Sequence, residues 1–327
     1  MEPEPGCCEE PHHGRCPSPR ARQTPAPRYP TSFIACEHIA AGHRAGYRSG
    51  GAKMAIPPTF TFSQSSLKDY RDCPRRFQLR YLERLAWPAP QSADAAECER
   101  RLHLGHEFHR LVRQHQAGVP PSALTPLAEA NADLARRWAL YLASPYAAPP
   151  GTVRRAELVL SAPVGGYRLE AQYDLVAGTP GGAWLIVDWK TGLERTPRAE
   201  LERREQTVVY RCLLALAGAS LNGGRPIPPG QITMVYWFAA GHRPAEAFPY
   251  DADQHERDLR TLSDWIAEIA SRPDGTWPMN TGKCPFCIYR SFCTEDVPAL
   301  PAEELEASGE MEGWLPDSLD LLEEIAF

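Results

Sequence analysis

Three features of the sequence predict an α/β protein. Stretches with a helical apolar period stand on both sides of a block of strand-like segments. Three of those segments, Val153–Ser161, Tyr167–Val176 and Ala183–Lys190, follow one another through Gly/Pro turns and predict an antiparallel meander. A further apolar strand, Gln231–Ala239, comes after a long helical stretch, Ala199–Ala219, and this alternation of strands with helices is the α/β pattern.

The chain has 327 residues, enough for one large domain or two small ones with a real core. No apolar run reaches membrane-spanning length, and the start lacks a basic-then-apolar signal pattern, so a soluble, cytoplasmic protein is expected. Of ten cysteines, four fall in the first 53 residues and three crowd between positions 284 and 293. Such clustering suggests a metal rather than a disulfide framework. The formal net charge is −6. Residues 297–327 hold nine acids and no base, while positions 54–296 are nearly neutral, with 28 bases and 27 acids. Bulk charge therefore decides nothing about nucleic-acid binding, and local basic clusters would have to do it.

Taken in order, residues 1–53 are rich in Pro, Arg, Gly and Ala and read as disordered, or as a non-native leader if translation begins at Met54. Ser63 or Ser65 would cap a first helix carrying Leu67, Tyr70, Phe77, Leu79 and Leu82, interrupted near Cys73-Pro74. Its residues Arg71, Arg75, Arg76, Arg80 and Arg84 form a basic face open to phosphates or to solvent. A second helix is expected from about Ala95 to Gln116, with Gly105, Phe108, His109 and Val112 close together. A glycine inside a helix costs about 1 kcal/mol relative to alanine, so a close packing approach is expected at Gly105. A third helix spans roughly Leu127–Leu142.

The meander follows, with Glu157, Asp174 and the stretch Val187-Asp188-Trp189-Lys190-Thr191-Gly192. Period-two geometry puts Asp188 and Lys190 on one side of the pleat. The triplet alone reads first as a strand-end salt bridge; the other reading is metal-assisted phosphodiester chemistry, with the carboxylate on a hard cation and the lysine beside the attacking water. Two carboxylates at neighbouring strand ends, Asp174 and Asp188, would repel unless a cation lay between them. Gln206 and Tyr210 fall at i and i+4 on the next helix. An edge strand, Glu246–Tyr250, and a helix, Gln254–Ser271, complete the core. After it stands Cys284-x2-Cys287-x5-Cys293. Cys73 is the best candidate for a fourth ligand, and four thiolates suit zinc or a [4Fe–4S] cluster. No phosphate loop of the G-x-x-x-x-G-K-[ST] kind is present, so motor action would need a partner.

Together these motifs resemble the RecB-type branch of the PD-(D/E)XK nuclease superfamily, particularly iron–sulfur members such as the AddB nuclease domain and the CRISPR-associated exonucleases. The resemblance covers residues 60–295 and rests on Ser65, Tyr70, Cys73-Pro74 and Phe77, then Gly105-x3-His109, Tyr173-Asp174, Asp188-Trp189-Lys190-Thr191-Gly192, Gln206-x3-Tyr210 and the three late cysteines.

The resemblance implies a restriction-endonuclease-like core, a mixed sheet flanked by helices, within a nuclease domain of residues 54–296 followed by an acidic tail. It implies Mg2+ or Mn2+ held by His109, Asp174, Asp188 and the carbonyl of Trp189. Lys190 would assist the water, and Gln206 and Tyr210 would support the site and contact DNA. A [4Fe–4S] cluster on Cys73, Cys284, Cys287 and Cys293 would staple the two ends of the domain together, with structural Zn2+ as the alternative. Glu157 is held as a structural or supporting residue. The expected activity is a DNA exonuclease preferring single strands, in repair or recombination and possibly alongside a helicase. A non-catalytic DNA-binding scaffold subunit and a CRISPR adaptation nuclease are the other readings. Intact Asp174, Asp188 and Lys190 disfavour the scaffold.

Overall fold

A computed structural model of the chain describes residues 56–85, 95–192, 195–293 and 300–308. The expected leader and the far end of the acidic tail lie outside these residues. In order, the elements are β1 (Thr61–Ser63), α1 (Gln64–Asp72), α2 (Pro74–Phe77), a π turn at Gln78–Leu82, α3 (Ala95–Gln116), α4 (Pro121–Ala128) and α5 (Ala132–Ala143). There follow β2 (Val153–Val164), β3 (Tyr167–Gly178), β4 (Trp184–Lys190), α6 (Arg198–Leu201), α7 (Glu205–Ala217), β5 (Ile232–Phe238), β6 (Glu246–Pro249), α8 (Ala252–Ala270) and α9 (Ala302–Ser308).

Local chemistry sets the helix boundaries. Ser63 and Ser66 close a reciprocal cap on α1, each side chain accepting from the other's backbone N–H. Cys73 then sits in an extended conformation and Pro74 opens α2, where its missing N–H costs nothing. The expected helix over Leu127–Leu142 is two helices. Asn131 breaks the run, and its side chain accepts from the Asp133 and Leu134 N–H groups to start α5. The expected helix Ala199–Ala219 is likewise divided, because Arg204 is extended just before α7.

The sheet is mixed, in the order β1-β3-β4-β5-β6 with β2 on the other edge of β3. β2, β3 and β4 form the antiparallel meander, while β4 and β5 run parallel from Trp184↔Ile232 to Lys190↔Phe238, with α6 and α7 in the connection between them. β3 has an unusual sharing of one edge. β1 pairs in parallel with Arg168, Leu169 and Glu170, β4 pairs only from Leu175 onward, and the stretch between them carries Asp174. The β2–β3 pair is interrupted at the same level: Ala156 faces Leu175 and Leu158 faces Tyr173, and between them Glu157 has φ +50°.

Both faces of the sheet are covered. Tyr173, Ile186, Met234 and Tyr236 share a core with Val209 and Leu213 of α7 and with Leu262 and Ile266 of α8. Leu175, Val187, Trp189 and Trp237 pack on the other side against Phe108 of α3 and Trp138 and Tyr141 of α5. Tyr173 and Val176 belong to the same core although an odd number of positions separates them, so the pleat changes parity across Asp174. A Cβ on Gly105 would stand 2.9 Å from Thr191 Oγ1, which identifies the close approach of α3 to the exit of β4.

The arginines of the first helical region do not form a free basic face. Arg76 and Arg80 bond Asp69, Arg75 bonds Glu83, and Arg71 bonds Glu205 while lying over Trp265. Among the described residues no helix is long and apolar enough to cross a membrane.

Candidate active site

Alternation along β4 sends Leu185, Val187 and Trp189 toward α3 and α5, leaving Asp188 and Lys190 on the face covered by α7. Both are nearly inaccessible, at 4% and 3% exposure, so their charges need partners. Lys190 Nζ lies 3.1 Å from Asp188 Oδ2 and donates to Gln206 Oε1 at 2.9 Å. The same Gln206 donates from Nε2 to Asp188 Oδ1 at 2.7 Å, so one amide fixes both the acid and the base.

Tyr210, one turn further along α7, accepts weakly from Gln206 at 3.3 Å and donates its hydroxyl to the Gln172 carbonyl at 2.6 Å. Burial, with the negative charges of Asp188 and Asp174, holds that phenol well above its usual range, so it remains a donor. Tyr236 completes the wall, with Lys190 Nζ 5.1 Å from its ring centroid and its hydroxyl bonded to Thr207.

Asp174 projects from the stretch of β3 that lies between its pairings with β1 and β4. Its Oδ2 accepts from the Trp189 N–H at 2.8 Å, and Oδ1 lies 3.6 Å from His109 Nδ1. Burial pushes the Asp174 carboxyl well above the usual range, and the carboxylates of Asp188 and Glu157 push it further, against the Trp189 N–H and Lys190. A site with like-charge pressure of this kind and oxygen plus imidazole donors suits a hard divalent cation. Glu157, expected as a structural or supporting residue, stands beside this carboxylate cluster. It sits opposite Asp174 across the β2–β3 pair and accepts from Gln172 Nε2. Left-handed backbone at a non-glycine residue costs about 1–2 kcal/mol. No local pattern in the sequence signals that conformation.

A second constellation lies where the first helices meet the late cysteines. Cys73, Cys284, Cys287 and Cys293 line one small cavity together with Arg76, Leu79, Lys283 and Arg290. Protein contacts already join the two segments: Arg75 N–H donates to the Pro278 carbonyl, Asn280 Nδ2 to the Asp72 carbonyl, and Trp277 N–H to Gln78 Oε1. Phe77 and Trp277 stack at 5.7 Å. Burial raises the Cys284, Cys287 and Cys293 thiols, Cys287 to about 11, and the neighbouring Cys73 raises each of them further. Cys98 and Cys212, away from this cavity, are fully buried in the apolar core. Among the described residues, no three His, Cys, Asp or Glu side chains are gathered tightly enough to hold a single metal ion.

A mixed sheet that delivers Asp174 from one strand and Asp188 and Lys190 from its antiparallel neighbour defines an α/β catalytic core of the nuclease type. The model of the PD-(D/E)XK nuclease superfamily matches residues 61–294, and the chain belongs to that superfamily as a nuclease catalytic domain. Among solved structures it is similar to a candidate exonuclease from Eubacterium rectale, at 10% identity over 76% of this chain and 93% of that one, with a TM-score of 0.45. It is also similar to SSO0001, at 15% identity over 72% and 87% of the two chains, with a TM-score of 0.32. Comparison with curated proteins finds no match.

Proposed function

We propose that the protein is a metal-dependent DNA exonuclease that prefers single strands and works in repair or recombination, in the RecB-type, iron–sulfur branch of its superfamily. The observation that carries this reading is the pair of hydrogen bonds by which Gln206 holds Lys190 and Asp188, beside an Asp174 under pressure from neighbouring carboxylates. His109, Asp174, Asp188 and the Trp189 carbonyl would hold Mg2+ or Mn2+, which offsets phosphate charge and acidifies water when bound.

The chain's own residues do the positioning. Lys190, fixed by Gln206, orients the attacking water and offsets charge on the phosphate. Water adds to phosphorus, the bond to the leaving sugar oxygen breaks, and that oxygen takes up a proton. Tyr210 braces Gln206 and keeps β3 and α7 in register through the Gln172 carbonyl. Tight second contacts of this kind make a catalytic geometry reproducible.

Cys73, Cys284, Cys287 and Cys293, which line one cavity, would ligate a [4Fe–4S] cluster, with structural Zn2+ as the alternative. The catalytic unit is residues 54–296, preceded by a leader and followed by an acidic tail, and any unwinding falls to a separate helicase partner. Degradation of end-labelled single-stranded DNA with Mn2+ tests the reading, using anaerobically purified wild type and Lys190→Ala. Loss of cutting in the variant alone is the expected result. No cutting by either would favour a binding subunit.

A further inference from the structure

The acidic segment after the last cysteine contains α9, and among the described residues Glu306 is its deeply buried acid, beside the chain that leaves the catalytic strand. Glu306 is 6% exposed. Its carboxylate pairs with Arg101 of α3. A Cβ on Gly192 would touch Glu306 Cγ at 3.4 Å, and the Arg195 N–H donates to the Ala307 carbonyl at 3.3 Å. Glu306 therefore packs against the chain two residues beyond Lys190.

Arg137 of α5 faces the same place. It is 7% exposed, donates from Nη1 to the Thr191 carbonyl at 2.8 Å, and keeps a buried Nε with no hydrogen-bond partner. Burial opposes its charge, and Glu306 is foremost among the groups that restore it. A buried guanidinium with an unused donor is expensive in a purely structural role. Guanidinium forks fit carboxylates and phosphates by the same geometry. Arg71, Arg75, Arg76 and Arg80 of the first helical region are paired with acids of the fold. Arg101 is shared between Glu97 of its own helix and Glu306 of the acidic tail, and Arg137, bonded to the chain just beyond Lys190, meets Glu306 through its charge.

We infer that Arg101 and Arg137 form a phosphate subsite for the DNA strand next to the catalytic centre, and that Glu306 occupies it as a built-in competitor. This rests on the nuclease reading and adds to it a self-restraint that the incoming strand must displace. A strand that wins the cradle trades one acid for one phosphate, so restraint weakens as DNA concentration rises.

The test uses the full chain carrying Lys190→Ala, so that the strand is not consumed, with binding of fluorescein-labelled oligothymidylate read by anisotropy. Adding Glu306→Gln, which keeps the side-chain shape, should tighten binding roughly fivefold to tenfold and steepen its salt dependence, as a freed phosphate contact does. Glu306→Ala should act in the same direction. Arg137→Gln placed on top should cancel the gain. Wild-type affinity in both Glu306 variants, or a gain that survives Arg137→Gln, would overturn the inference. Cleavage by the Lys190-intact chains is scored separately. Absent cleavage sinks the nuclease reading, while the affinity comparison still decides the subsite.

Discussion

Glu157 faces Asp174 across two paired strands, from a backbone position with φ +50° that breaks the pleat of both. Strain held by a sheet beside a charged cluster is a mark of a functional position. Glu157→Gln keeps the shape and removes one of the two carboxylates that press on Asp174. Cleavage should fall at least tenfold, while the melting temperature holds or rises because like-charge repulsion is relieved. Unchanged cleavage would reduce Glu157 to a strand residue.

Lys190→Ala should abolish cleavage and leave DNA affinity within about twofold, since the lysine is buried against Asp188 and Gln206 rather than spread over the surface. Gln206→Ala should lower turnover by a smaller factor, roughly tenfold to a hundredfold, by releasing both Lys190 and Asp188. Single-turnover kinetics separates the two. Equal loss in both variants would mean that the amide itself touches the reacting phosphate.

Cys287→Ser should bleach a brown protein and lower its melting temperature, because the loop carrying Cys284–Cys293 closes onto Cys73 around one cavity. Absorbance and iron analysis follow the colour, and calorimetry follows the stability. A colourless wild type containing zinc would replace the cluster with a structural ion.

Glu97, in the first turn of α3, accepts from Arg100 and Arg101, and those bonds hold its carboxyl down at about 2. A folded-state value below the unfolded one adds stability above the ordinary carboxylate range near 4.5, and this is lost as pH falls toward 2. Because the pair is partly solvated, the effect should stay below about 1 kcal/mol. Glu97→Gln should flatten the acid limb of the stability curve between those limits. An unaltered limb would show that the arginines keep equivalent partners without it.

Much of the fold was legible because its signals were periodic. α3 begins and ends where the apolar period of Ala95–Gln116 predicts, and the two-residue repeat of β4 correctly puts Asp188 and Lys190 on one face. What failed was interruption by single residues. Asn131 stops a helix through its side-chain cap, and Arg204 stops another by backbone conformation alone, against an otherwise continuous pattern. In the first arginine-rich region Asp72 and Arg76 form an ordinary i,i+4 pair, whereas Asp69 meets Arg76 and Arg80, and Glu205 meets Arg71, only through the fold. The pairing of Arg101 with Glu306 and the conformation of Glu157 depend on tertiary neighbours, which no local pattern encodes.

The bonds from Asn280 to Asp72 and from Arg75 to Pro278 bring the chain back, after both carboxylate strands, to the place where the first helix ends. Everything between those points, both carboxylate strands included, is a loop with a common doorway. Such a body can be spliced into a surface turn of a larger polypeptide without prising its host apart.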